Sequence, residues 1–123
     1  MEKREENKPP LALAKWGWEY HHLGIPTTKK IPNETYLETL KFAVSGFQES
    51  PFGIEWMRFD EDCPLPEIIR TVPHLAFRVD NLETAVRQAK CKLIVEPIEP
   101  APGIRTVMIE REGAPIELIE FAK

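Results

Sequence analysis

The chain has 123 residues with 42% apolar content, enough for one compact domain or for two small modules sharing a core, and a formal net charge of −4. No Lys/Arg cluster or basic stripe accompanies that charge, which argues against nucleic acid or an anionic membrane surface as a partner. No apolar run approaches the roughly 18 residues needed to span a bilayer and residues 1–10 lack a signal-peptide core, so the expected location is cytoplasmic.

Residues 1–10, MEKREENKPP, predict a polar, mobile arm closed by two prolines, and residues 16–25 read as the first strand. Pro32, Asn33 and Glu34 resemble a helix start, followed by Leu37, Leu40 and Val44 at helical spacing until Gly46. A strand is expected over 52–59. The proline-bearing stretch that follows is a connection, with one helical turn around Ile68 and Ile69. Next come a strand over 73–79 and a capping box from Asp80 to Glu83. Leu82, Ala85, Val86 and Ala89 then supply the i, i+3, i+4, i+7 stripe of an amphipathic helix. A short strand over 92–96, a proline-rich loop over 97–103 and a hairpin of 104–110 with 115–121 about Gly113 complete a β-α-β-β-β order. Cys63 and Cys91 stand outside any C-x-x-C pair and read as free packing thiols.

Two phrases occur twice in the same order. His22-Leu23-Gly24-Ile25 precedes Ile54-Glu55-Trp56-Met57-Arg58-Phe59, and His74-Leu75-Ala76-Phe77 precedes Ile116-Glu117-Leu118-Ile119-Glu120-Phe121. In a strand, i and i+2 share a face, so His22 lies with Gly24 and His74 with Ala76, small neighbours that leave room around an imidazole. Each Glu shares its face with apolar residues, a costly position for a carboxylate unless a cation compensates it. His21 competes with His22, but strand alternation places it on the apolar side with Leu23 and Ile25. Trp16, Trp18 and Tyr20 form an aromatic row on the His22 face, either a pocket wall or ordinary packing. Arg58, Arg78 and Arg105 are candidate anchors for an anionic substrate, with surface solvation the commoner role for an arginine.

On HHLGIPT, GIEWMRF, PHLAFRVDNLETAV and GAPIELIEF, the chain resembles the vicinal oxygen chelate superfamily, the glyoxalase and bleomycin-resistance fold, over about residues 17–121. The resemblance implies an α+β fold of two tandem βαβββ modules, residues 11–60 and 73–123 joined by 61–72, forming a curved mixed sheet around a metal-binding cleft. It implies a His2Glu2 site of His22, Glu55, His74 and Glu117, with Glu117 or Glu55 also carrying a proton in catalysis. The first module is abbreviated: His22 to Glu55 spans 33 positions (55 − 22) and His74 to Glu117 spans 43 (117 − 74). Ten residues are about a strand and its turn, which is the element expected to be missing.

A nitrogen and oxygen donor set suits Ni, Co, Zn or Mn and leaves positions for adjacent oxygens of a small-molecule substrate. The expected function is therefore a metal-dependent lyase or isomerase of the glyoxalase type. The alternatives are a bleomycin-resistance-like protein that sequesters a planar ligand without metal, and an extradiol-type dioxygenase, which needs two His and one carboxylate. A homodimer is expected, to cover sheet edges and apolar surface left by the shortened module.

Overall fold

The computed structural model describes residues 2–3 and 8–123; most of the arm expected over 1–10 lies outside the described residues. Eight strands form one curled mixed sheet: β1 (Glu19–Pro26), β2 (Thr35–Leu37), β3 (Phe42–Ser45), β4 (Ile54–Phe59), β5 (His74–Arg78), β6 (Lys92–Ala101), β7 (Ile104–Arg111) and β8 (Ala114–Phe121). Their spatial order is β2-β3-β4-β1-β5-β8-β7-β6. Each half runs from a central strand out to an edge in the same sense, with β1 parallel to β4 and β5 parallel to β8, and the halves meet where β1 pairs antiparallel with β5. The modules are thus related by an approximate two-fold through the Leu23–Leu75 pair.

The halves differ in what covers the outer face. In the second, the helix α3 (Leu82–Ala89) begins at Asn81, whose side chain accepts from the Thr84 amide, and lies over β7 and β8. The cap is therefore one residue later than the expected Asp80, and Glu83 instead pairs with Arg105. Leu82, Val107, Ile109 and Leu118 are fully buried beneath this helix beside Trp18. Each such side chain contributes about 1.5–3 kcal/mol relative to an exposed one.

In the first half, no helix connects β1 to β2. Asn33 and Lys41 both have positive φ, 63° and 58°, so the stretch expected to be helical is a loop, then strand β2, a turn and strand β3. All four strands of the first module are present, and what abbreviation removed is the crossover helix rather than a strand. The 27–34 loop stands in for it, tied down where Arg58 donates twice to the Glu34 carboxylate at 2.8 Å. This leaves Trp56 and Leu75 exposed on the outer face.

Two further expectations are corrected. A helical turn, α1 (Leu11–Ala14), and Gly17 at φ 71° precede β1, so Trp16 and Trp18 are not in a strand. Trp18 packs against Trp16 and Phe77 in the outer core, while Tyr20 is exposed and donates to the Phe52 carbonyl. There is no aromatic row beside His22. The proline-rich segment continues the preceding strand as β6 instead of forming a loop. An edge strand tolerates Pro97 and Pro100 because one side of its backbone needs no ladder partner, and the register shifts beyond Leu93 absorb the irregularity. The connection between halves carries α2 (Glu67–Thr71), which includes Ile68 and Ile69. Cys63 and Cys91 are free. No helix among the described residues is long and apolar enough to cross a membrane.

Candidate metal centre

The local two-fold gathers the repeated residues. Across the β1–β5 seam, His22 pairs with Ala76 and His74 with Gly24, so each imidazole lies opposite the small residue of the other copy. In the flanking strands Gly24 pairs with Glu55 and Ala76 with Glu117. The four side chains expected from the repeat thus share one face and one end of the seam.

Their side chains converge. The Glu117 Oε1 lies 3.2 Å from His22 Nε2 and 3.3 Å from His74 Nε2, and the two imidazoles meet edge to face at 5.5 Å. One ligand atom from each of His22, His74 and Glu117 falls within 4.8 Å of the others. Glu55 stands at the margin, its Oε1 3.7 Å from His22 Nε2. His22 and His74 are 4% and 2% exposed. His22 Nε2 is close to Glu117 but misaligned for hydrogen bonding, so among the described residues this buried nitrogen has no hydrogen-bond partner, and neither has His74 Nδ1. Buried polar atoms are rarely left so. A lone pair of His22 Nε2 aimed at a cluster of carboxylate and imidazole donors fits a divalent cation, and the absence of thiolates at the cluster fits a borderline or hard one.

The charges follow the same geometry. Burial would raise Glu117, but His22 and His74 outweigh it and hold the carboxyl at about 2. Burial opposes charge on His22, yet Glu117 and Glu55 prevail and raise its pKa above the ordinary 6.5. Glu55 is raised, first by burial and then by the negative charge of Glu117, with the histidines pulling the other way. One carboxyl is therefore held ionised and the other is shifted toward holding a proton.

The sequence reading misplaced His21. A β-bulge between Tyr20 and His22 breaks the alternation and brings His21 onto the cleft side, where its ring stacks on Phe47 at 4.9 Å and 17° and its Nδ1 lies 2.7 Å from His22 Nδ1. At that separation one nitrogen must carry the proton. Burial, then the neighbouring His22, lowers the pKa of His21, which suits it as the neutral acceptor. With the proton on His22 Nδ1, the Nε2 lone pair is directed into the cluster, the way a hydrogen bond to one ring nitrogen selects the other for a metal. The adjacent His-His pair was the available signal, since an extra residue in a strand is what lets both point inward. Replacing His21 with Leu is expected to weaken Zn or Ni binding roughly 10–100-fold in chelator competition, with His21→Asn recovering part of the loss because its carbonyl still accepts. Unchanged affinity in His21→Leu would show that His22 needs no such partner.

The candidate arginine anchors are mostly committed elsewhere. Arg58 pairs with Glu34 and Asp60, and Arg105 with Glu83 and Glu120. Arg78 lies over the Phe121 ring at 5.8 Å.

This curled mixed sheet of two similar halves, the first without a crossover helix, has counterparts among solved structures. Solved structures with this fold include methylmalonyl-CoA epimerase from Mycobacterium tuberculosis, 20% identical over 85% of this chain and 89% of that one, with a TM-score of 0.59. A hypothetical protein from Bacillus halodurans C-125 is 19% identical over 86% and 96% of the respective chains, with a TM-score of 0.61. No protein-family model and no curated protein matches the sequence.

Proposed function

We propose that the protein is a metal-dependent isomerase or lyase of the glyoxalase type, which moves a proton on a carbon next to a carbonyl in a substrate offering two adjacent oxygens. The observation that carries this reading is the convergence of His22, His74 and Glu117 around a buried imidazole nitrogen without a hydrogen-bond partner among the described residues. The resemblance to an epimerase fold supports the reaction class. His22, His74, Glu117 and Glu55 would hold the ion, which when bound supplies a Lewis acid that polarises the substrate oxygens. Glu117, fixed between two imidazoles, stays ionised and anchors the site. Glu55, at the margin and with its pKa raised by burial, takes the substrate proton and returns it.

Incubation in deuterated water with a panel of 2-oxoaldehyde thiol adducts and 2-methyl acyl thioesters should show metal-dependent exchange at one carbon-bound position by NMR. Glu55→Gln should lower exchange by roughly 10²-fold or more while keeping most of the metal. Exchange by Glu55→Gln at the wild-type rate would remove Glu55 from that role.

The three-atom cluster also has the composition of the two-histidine, one-carboxylate iron sites of oxygenases. Glu55 beside it favours the four-ligand reading, and oxygen consumption with a catechol by the iron-loaded protein would reverse that preference.

We also propose a homodimer through the outer face bared by the lost helix, where Trp56 and Leu75 are exposed. Light scattering at micromolar concentration should give twice 14.2 kDa, and the monomer mass would exclude it.

A further inference from the structure

A small cavity beneath a larger groove reaches the centre at His74 and Glu117, a separate opening reaches it at Glu55, and their chemistry differs. The edge strands β2 and β6 flank a groove of about 690 Å³, walled by Leu37, Leu40, Val44, Ile98, Pro100 and Ala101 among others. Beneath it a cavity of about 60 Å³ shares Leu40, Ile98 and Pro100 with the groove and reaches His74 and Glu117 between Phe42, Met57 and Met108. A second opening, about 340 Å³ and lined by Asn33, Ser45, Gln48 and Glu49, reaches Glu55.

Among the described residues, neither the groove nor this second opening has a Lys or Arg in its lining, and the charged side chains that line the apolar groove are Glu38 and Glu99. Lys41 is held by Asp62, and Lys30 lines a separate depression of about 590 Å³ that adjoins the second opening at Asn33 and the groove at Tyr36. An anionic arm in the groove would lose hydration, meet no cation among the described lining residues and face two carboxylates. An alkyl or acyl chain would gain about 0.8 kcal/mol, or roughly four-fold in affinity, for each methylene fully buried.

We propose that the groove between β2 and β6 selects a substrate with an uncharged, apolar arm, whose oxygen-bearing head lies at His22, His74, Glu55 and Glu117. This rests on the metal-centre reading of that cluster and adds the substrate class to it. A malonyl-type acyl group, which carries a carboxylate, is disfavoured in the groove, and an uncharged medium-chain acyl or alkyl group fits it.

Hydroxamates separate the two layers of the argument, because each presents two adjacent oxygens and the tail can be varied alone. Zinc-loaded protein would be titrated calorimetrically with acetohydroxamate, octanohydroxamate and suberic acid monohydroxamate, the last matching the second in length but ending in a carboxylate. Octanohydroxamate should bind roughly 30-fold or more tighter than acetohydroxamate, and the suberic compound should lose most of that gain. Glu38→Lys at the exposed rim should strengthen the suberic compound at least about five-fold and leave octanohydroxamate within about two-fold. If acetohydroxamate binds but the octanoyl tail adds nothing, or the suberic tail adds as much, the groove assignment is overturned while the metal centre stands. Failure of all three to bind zinc-loaded protein would overturn the metal-centre reading and the groove assignment with it.

Discussion

Glu117→Ala should abolish retention of the divalent ion, lowering affinity by roughly 10²-fold or more, and His74→Ala should do nearly as much. Glu117 is the hub: both imidazoles approach the same carboxylate oxygen, at 3.2 and 3.3 Å, so its removal takes an anionic donor and leaves two buried imidazoles facing an empty space. The readout is metal content by mass spectrometry after dialysis, with circular dichroism to establish that the sheet persists. Full metal content in both variants would dissolve the assignment.

Acidity should act in the same direction as these substitutions. The raised pKa of His22 means that the metal-free fold keeps a proton there above 6.5, and that proton must leave before the nitrogen can bind. Affinity therefore falls as pH drops through the raised value. The sign reverses for the stability of the metal-free protein, whose His22 contribution is fully present below 6.5 and is lost as pH rises through the folded value.

The four repeated residues were legible because duplication preserves register. Strand period 2 and the repeat together put His22, His74, Glu55 and Glu117 on one face, and the pairings of His22 with Ala76 and Gly24 with His74 realise that pattern across the seam. The second module was legible for a different reason: the apolar stripe of Leu82, Ala85 and Ala89 has only one period that fits. Leu37, Leu40 and Val44 were ambiguous, since a short apolar run can follow either a helix or two strands and a turn. The left-handed backbone at Asn33 and Lys41 decided it, and neither residue announces that conformation as glycine would. His21 escaped because alternation presumes an unbroken ladder, and the bulge turns His21 to the cleft and shifts the residues before it by one face, so that Tyr20, opposite Phe77, lies on the other side from His22.

The steric dependence of the site on Gly24 yields the sharpest stability effect. A Cβ at this position would lie 2.1 Å from His74 Cε1 and 2.7 Å from both ring nitrogens, far inside contact distance. Unlike Gly113, at φ 84°, Gly24 has no left-handed backbone to satisfy, so its requirement is for space alone. Gly24→Ala would stiffen the unfolded chain, a gain of about 0.4–1 kcal/mol. Overpacking against a histidine that is 2% exposed costs more, about 1–3 kcal/mol, so net destabilisation is expected together with loss of metal as the ring is displaced. In a His74→Ala background the clash has no partner, and adding Gly24→Ala should cost nothing or stabilise slightly, a coupling of at least about 1 kcal/mol in a denaturation cycle on metal-free protein. Gly113→Ala serves as the contrast: nothing lies within 4 Å of its added methyl, and its backbone penalty should leave metal content unchanged. Equal costs for Gly24→Ala in the presence and absence of the His74 imidazole would show that the seam does not hold that ring where the cluster requires it.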